Sequence, residues 1–189
     1  MPTYCEFITT LKEEVQGLHL DYHDNHYGFP LYDDNELFGR FIMEINQAGL
    51  SWTLMLKKLK NFERAYEGFN IDRIAAYGDA DFERLMNDEG IIRNRLKIKA
   101  AIENARRIKE LQKSHGSFRK WLEEMGKTHH TLGEWTKLFK KQFVFTGGEI
   151  VNEFLISIAI LPGAHSTDCP VWEIIRKKYG DEIYWFRQS

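Results

Sequence analysis

The sequence predicts an all-α fold. Apolar residues recur at helical spacing over most of its 189 residues, the four prolines all fall outside the helices so defined, and no stretch reads as a strand. Residues 1–32 lack sustained periodicity and read as a mostly irregular segment containing Gly28 and Pro30. Asp33 and Glu36 then have the spacing of a capping box, with Leu37, Phe38, Phe41, Ile42 and Ile45 at helical intervals behind them. Glu44 falls in line with Leu37, Phe41 and Ala48 at the border of that stripe, where a charge faces a pocket sooner than bulk water. Gly49 breaks the helix and leaves Leu50 at the tip of a bend. Ser51 is a fair N-cap for a second helix carrying Leu54, Met55, Leu59 and Phe62, which opens with Trp52. On these residues alone, the stretch Glu44–Trp52 is either a solvated helix edge or a recognition turn.

Past Gly68, short helical segments at 71–77 and 80–86 are punctuated by Gly78 and Gly90. A longer helix is predicted from Asn94 to Gln112, with Ile98, Ala101, Ile102, Ala105, Ile108 and Leu111 on one face. From Arg93 to Lys109 there are seven basic residues against one acid, Glu103. Such a run is a solvated face or a seat for a phosphate backbone. Ser117 and Thr131 suit the N-caps of two short helices, Phe118–Met125 and Leu132–Lys141. A Gly-containing turn, Phe145-Thr146-Gly147-Gly148, leads into the stretch 150–161, which is apolar almost all round and is the candidate central helix. That turn is either a plain connection or main chain presented to a phosphate at a helix N-terminus.

One compact domain over residues 1–189 suits this length. There is no apolar run of about 18 residues and no signal-peptide pattern, so the expected place is the cytosol and no membrane partner is expected. A net charge of −2 gives no global pull toward nucleic acid. Five Trp and thirteen Phe point to an aromatic core or pocket. The two cysteines, Cys5 and Cys169, lie near opposite ends of the chain. With His23 and His165 they could form a Cys₂His₂ metal site, closed and therefore structural, or they could be two buried thiols beside ordinary histidines. The pair His23-Asp24 also occurs in metal-dependent phosphohydrolases, but a thiol is the wrong ligand for their hard metal ions.

Taken in order, these residues resemble the DNA-3-methyladenine glycosylase I family of the helix-hairpin-helix glycosylase superfamily. The resemblance runs over residues 4–172 and leaves the tail 173–189 outside. It rests on Tyr22-His23-Asp24-Asn25 with Gly28 and Pro30, Leu37-Phe38, and Glu44 with Gln47-Ala48-Gly49-Leu50-Ser51-Trp52. Gly90-Ile91-Ile92-Arg93 with Lys97-Ile98, Phe145-Thr146-Gly147 and His165-x₃-Cys169 complete it. It implies a structural zinc ion, one per chain, held by Cys5, His23, His165 and Cys169 and joining the N- and C-terminal segments. It implies that Glu44, Tyr22 and Trp52 line a base pocket, with Glu44 the residue expected to carry the chemistry. Phe7 and Tyr27 stand where the family usually has Trp and are counted with the base-binding aromatics. Gly49 and Leu50 are implied to fill the gap left in the duplex. Thr146, Gly147 and Gly148 are implied to grip its backbone, and Arg93, Arg95 and Lys97 are expected to face the same backbone. The superfamily's usual catalytic Asp is expected just after the central helix, near Ala164, and Asp168 lies between two proposed ligands. The expected function is excision of 3-methyladenine from double-stranded alkylated DNA by a monomer, with the free base as product. A broader alkylpurine glycosylase and a non-catalytic zinc-stabilised DNA-binding module are the alternatives.

Overall fold

The computed structural model describes residues 3–183. All regular structure in them is helical. The helices fall into two compact units. One takes the chain up to Pro30 and again from Asn152; the other is the continuous stretch Leu31–Val151.

The terminal unit begins with α1 (Tyr4–Thr9) and α2 (Glu13–Asn25). Here the expectation of an irregular segment over 1–32 is corrected. α1 opens on a full capping box between Thr3 and Glu6. α2 buries His19, Tyr22 and His23 in place of aliphatic residues, so its inward face carries little hydrophobic periodicity. The same unit contains the end of α10 (Gly148–Ser157) and α11 (Pro170–Tyr179). α11 starts with Pro170 in its first turn and buries Val171 and Ile175. These pack with Ala159, Cys169 and Ile183 in a small apolar core.

The central unit contains α3 (Asp34–Gln47), α4 (Trp52–Ala65), a 3₁₀ turn at Glu67–Phe69, α5 (Ile71–Ala75) and α6 (Asp79–Asn87). It continues with α7 (Arg95–His115), α8 (Phe118–Gly126) and α9 (Leu132–Gln142). The predicted caps are in place: Asp33 accepts from the Asn35 and Glu36 amides, Ser51 from Leu54, Ser117 from Lys120 and Thr131 from Glu134. Asp34 joins three elements by itself. Its carboxylate accepts from the Gln112 side chain and from the Phe118 and Arg119 amides at the start of α8. Phe41, Phe139 and Phe143 meet edge to face or tilted at 5.2–5.8 Å between centroids, which fixes α3 against α9 and the turn that follows it.

α10 carries the expected buried character. Ile150, Val151, Phe154 and Leu155 are all buried. It ends at Ser157, four residues before the expected Leu161. Ala159 adopts φ 61°, and the Ile160 and Leu161 amides both donate back to the Leu155 carbonyl, closing the helix before Pro162 is reached.

Candidate functional site

Four side chains converge in the terminal unit: Cys5 on α1, His23 on α2, and His165 and Cys169 on the segment between α10 and α11. Their ligand atoms all lie within 4.8 Å of one another. His23 Nε2 is 3.3 Å from Cys5 Sγ and 3.7 Å from Cys169 Sγ, and His165 Nδ1 is 3.8 Å from each sulfur. The two nitrogens are 3.1 Å apart. A tetrahedron with ordinary zinc bond lengths has edges of about 3.3 Å between nitrogens and about 3.6 Å from nitrogen to sulfur. Each nitrogen–nitrogen and nitrogen–sulfur edge of the cluster therefore lies close to what a tetrahedral ion requires.

The other ring nitrogens are spoken for. His23 Nδ1 donates to Asp24 Oδ1 at 2.7 Å, and His165 Nε2 donates to the Tyr27 carbonyl at 2.8 Å. Each bond fixes the tautomer that points a lone pair into the cluster. Burial pushes His165 down to about 4, so its imidazole is neutral, as a ligand must be. Burial raises the Cys169 thiol. Burial also pushes Cys5 upward, but hydrogen bonds from His23, Ser166 and Cys169 outweigh it and leave that thiol below its ordinary range. Gly28 is part of the construction. At φ +78° its missing Cβ would stand 2.5 Å from Ala164 Cβ and 3.1 Å from the His165 ring.

Aromatic rings surround this cluster within the same unit. Tyr22, 6% exposed, lies 5.7 Å from Tyr27 and 6.1 Å from Tyr4 between centroids. Tyr4 is 5.0 Å from Tyr27 and stacks on Phe7 at 6.2 Å, and the Tyr27 hydroxyl donates to Glu153. Sequence reasoning missed Tyr4 as a member of this group, since no periodicity marks α1. It also missed the Asp24 hydrogen bond, although that carboxylate adjoins His23 in sequence.

In the central unit, Glu44 on α3 is only 4% exposed, as its helical phase implied. The chain turns after Gln47. The Leu50 amide donates to the Gln47 carbonyl at 2.7 Å, and the Gln47 side chain donates to the Leu50 carbonyl at 3.0 Å. Gly49 takes φ +81°, the left-handed region that glycine occupies without strain. Trp52 follows as the first residue of α4.

The second turn, between α9 and α10, is held by Asn104 of α7. Its amide donates to the Val144 carbonyl at 3.0 Å and its oxygen accepts from the Val144 amide at 2.9 Å. Phe145 takes φ 60°, an uncommon conformation for a bulky residue. Thr146 is buried, Gly147 is exposed and Gly148 is half-buried. Arg93 and Arg95 are exposed, with Arg95 lying over the Phe82 ring at 5.0 Å.

Lys97 departs from the expectation that it shares that basic face. It is 5% exposed, and its amine donates to the Asn46 carbonyl at 2.8 Å and the Ala48 carbonyl at 2.7 Å. Its charge is spent on the C-terminal carbonyls of α3, where a cation is favoured by the helix dipole.

The sequence matches the methyladenine glycosylase family over residues 12–171. The DNA-3-methyladenine glycosylase of Haemophilus influenzae is 29% identical over 187 residues, spanning 90% of this chain and 98% of the relative. A solved 3-methyladenine DNA glycosylase I in complex with 3-methyladenine is 30% identical with a TM-score of 0.75, covering 82% of this chain and 91% of that one. The Staphylococcus aureus 3-methyladenine DNA glycosylase I is likewise 30% identical with a TM-score of 0.74, over 82% and 90% of the two chains.

Proposed function

This chain belongs to the methyladenine glycosylase family, and from that membership we propose that it excises 3-methyladenine from alkylated double-stranded DNA. The reaction is hydrolysis of one bond. Water supplies oxygen to C1′ of the deoxyribose, the C1′–N9 bond breaks with its electron pair going to the base, and a proton of the water is released. Methylation at N3 gives the base a positive charge before the bond breaks, so it leaves neutral and needs little acid catalysis. Recognition of that cation is the larger task.

The observation that carries this reading is the continuous stretch from Glu44 to Trp52. A buried carboxylate is followed by a tight turn with Leu50 at its tip and an indole opening the next helix. Glu44 accepts a hydrogen bond from the damaged base and balances its charge. Trp52 and the tyrosines Tyr22 and Tyr27 offer π-faces, each worth about 0.5–2 kcal/mol to a cation depending on its desolvation. Phe7, stacked on Tyr4, adds a further aromatic face. The base must leave the stack to be reached, at a cost of a few kcal/mol. Leu50, carried on Gly49, occupies the vacated space. Thr146, Gly147 and Gly148 hold the duplex backbone with Arg93 and Arg95.

The cluster of Cys5, His23, His165 and Cys169 holds a structural zinc ion. Two soft thiolates and two neutral imidazoles leave no open position for a reacting group. Its two cysteines as thiolate ligands fit a reducing cytosol.

The test is incubation with methylated duplex DNA and identification of the released base. The expected product is free 3-methyladenine with one abasic site for each base released. Release of several alkylpurines at similar rates would replace the reading with a broader glycosylase. Binding without any release would reduce the protein to a DNA-binding module.

A further inference from the structure

α7 carries two buried polar side chains seven residues apart, hence on one face, and both are spent on the main chain of turns that α7 does not belong to. Asn104 forms a two-bond ring with Val144, next to the Phe145–Gly148 turn. Lys97 reaches the carbonyls of Asn46 and Ala48, on either side of Gln47 and just before Gly49 and Leu50. The Phe145 ring lies 6.0 Å from the same amine, so one ammonium group stands between the two turns. Between them on α7, Ala100 and Ala101 are buried, small enough to let neighbouring main chain approach.

We propose that Lys97 is a positioning residue for base excision, which fixes the C-terminus of α3 so that the Gln47–Leu50 turn enters the duplex as a rigid wedge. This rests on the proposed role of Leu50 as the residue that fills the vacated space.

The physical need is specific. Gly49 gives the turn freedom, and the two Gln47–Leu50 hydrogen bonds close it only on itself. Carbonyls at a helix C-terminus have no partner within the helix. Without Lys97, the Asn46 and Ala48 carbonyls lose a charged donor that binds both at under 3 Å. The turn then samples orientations that must be frozen out each time it enters DNA. A lysine buried for helix packing alone would gain nothing over a leucine or methionine of similar volume, since desolvating an ammonium group is costly. Burial also draws its pKa below the ordinary lysine range, a cost that the two carbonyl contacts offset in part.

The experiment compares Lys97→Met and Lys97→Gln with the unaltered protein by three readouts. These are binding of free 3-methyladenine, kcat and KM on methylated duplex, and fluorescence of 2-aminopurine placed beside an abasic-site analogue, which reports insertion of the wedge. Lys97→Met is expected to bind the free base within about twofold of the unaltered protein, to lose the fluorescence change, and to lower kcat/KM by about ten- to a hundredfold, the effect of losing a charged hydrogen bond. Lys97→Gln, which keeps a neutral amide donor, is expected to fall between the two and carries the comparison if Lys97→Met does not fold. In a Leu50→Ala background either change is expected to cost little more, because both act through one turn. Full excision with Lys97→Met, an undiminished loss in the Leu50→Ala background, or equal losses of free-base binding and excision would each overturn the proposal. Failure of the unaltered chain to release 3-methyladenine would instead overturn the reading on which it rests.

Discussion

A carboxylate with 4% of its surface exposed, as Glu44 has, persists in a protein only where its environment or its task requires it. If that task is to bind a cationic base, Glu44→Gln keeps the volume and removes the anion. Charged hydrogen bonds contribute about 1.5–3 kcal/mol, so affinity for free 3-methyladenine is expected to fall by about ten- to a hundredfold. Calorimetric titration checks this, and metal content and helicity are expected to stay as they were. Unchanged affinity would move recognition to another residue. Glu44 was legible in the sequence because its helical phase places it against an apolar stripe. Lys97 was not, because a count of cations along α7 ignores phase. It falls in register with Ala101 and Ile108, both buried, and that register was the available signal.

At the scale of elements, helices with aliphatic inner faces were read to within a few residues: α3, α4, α8 and α9 begin at the caps their sequences announce, and α7 begins one residue after the expected Asn94. α2 was illegible because its inner face is made of His19, Tyr22 and His23, which join the Cys₂His₂ cluster and the aromatic group. The hydrophobic pattern fails where polar aromatic residues occupy the core positions. The basic run at the start of α7 divides once the helix is formed. Arg93 and Arg95 remain exposed while Lys97 turns inward. Replacing both arginines by Gln is expected to weaken binding to any duplex and to flatten the slope of log K against log salt by about 2, near 0.9 per phosphate contact. Fluorescence anisotropy over a salt series measures it. An unchanged slope would make this face a solvated one only.

For the whole molecule, the cluster of Cys5, His23, His165 and Cys169 ties α1 and α2 to the segment before α11 within the terminal unit. One zinc per chain is expected by elemental analysis. Cys169→Ala, or chelation, is expected to lower thermal stability, by about 4 kcal/mol if the ion is present at a thousand times its dissociation constant. That corresponds to roughly 10 °C in Tm for a chain of this size. Far-UV circular dichroism during heating checks it, and an unshifted Tm would mean that the four residues pack without an ion. The site's donors were legible as residue types. Their convergence was implied by the family resemblance and by no local pattern, because 160 residues separate Cys5 from His165.

That separation has a consequence during synthesis. The stretch Leu31–Val151 is continuous and leaves the ribosome as a complete set of partners for its own core, whereas the other unit needs residues from both sides of it. At about 5–20 residues per second, Cys5 and His23 wait several seconds or more for His165 and Cys169 to emerge. The first two residues of the cluster spend that time without their partners. Completion of the cluster is therefore a late event in the life of the nascent chain, and it marks the moment at which the early segment joins a folded body.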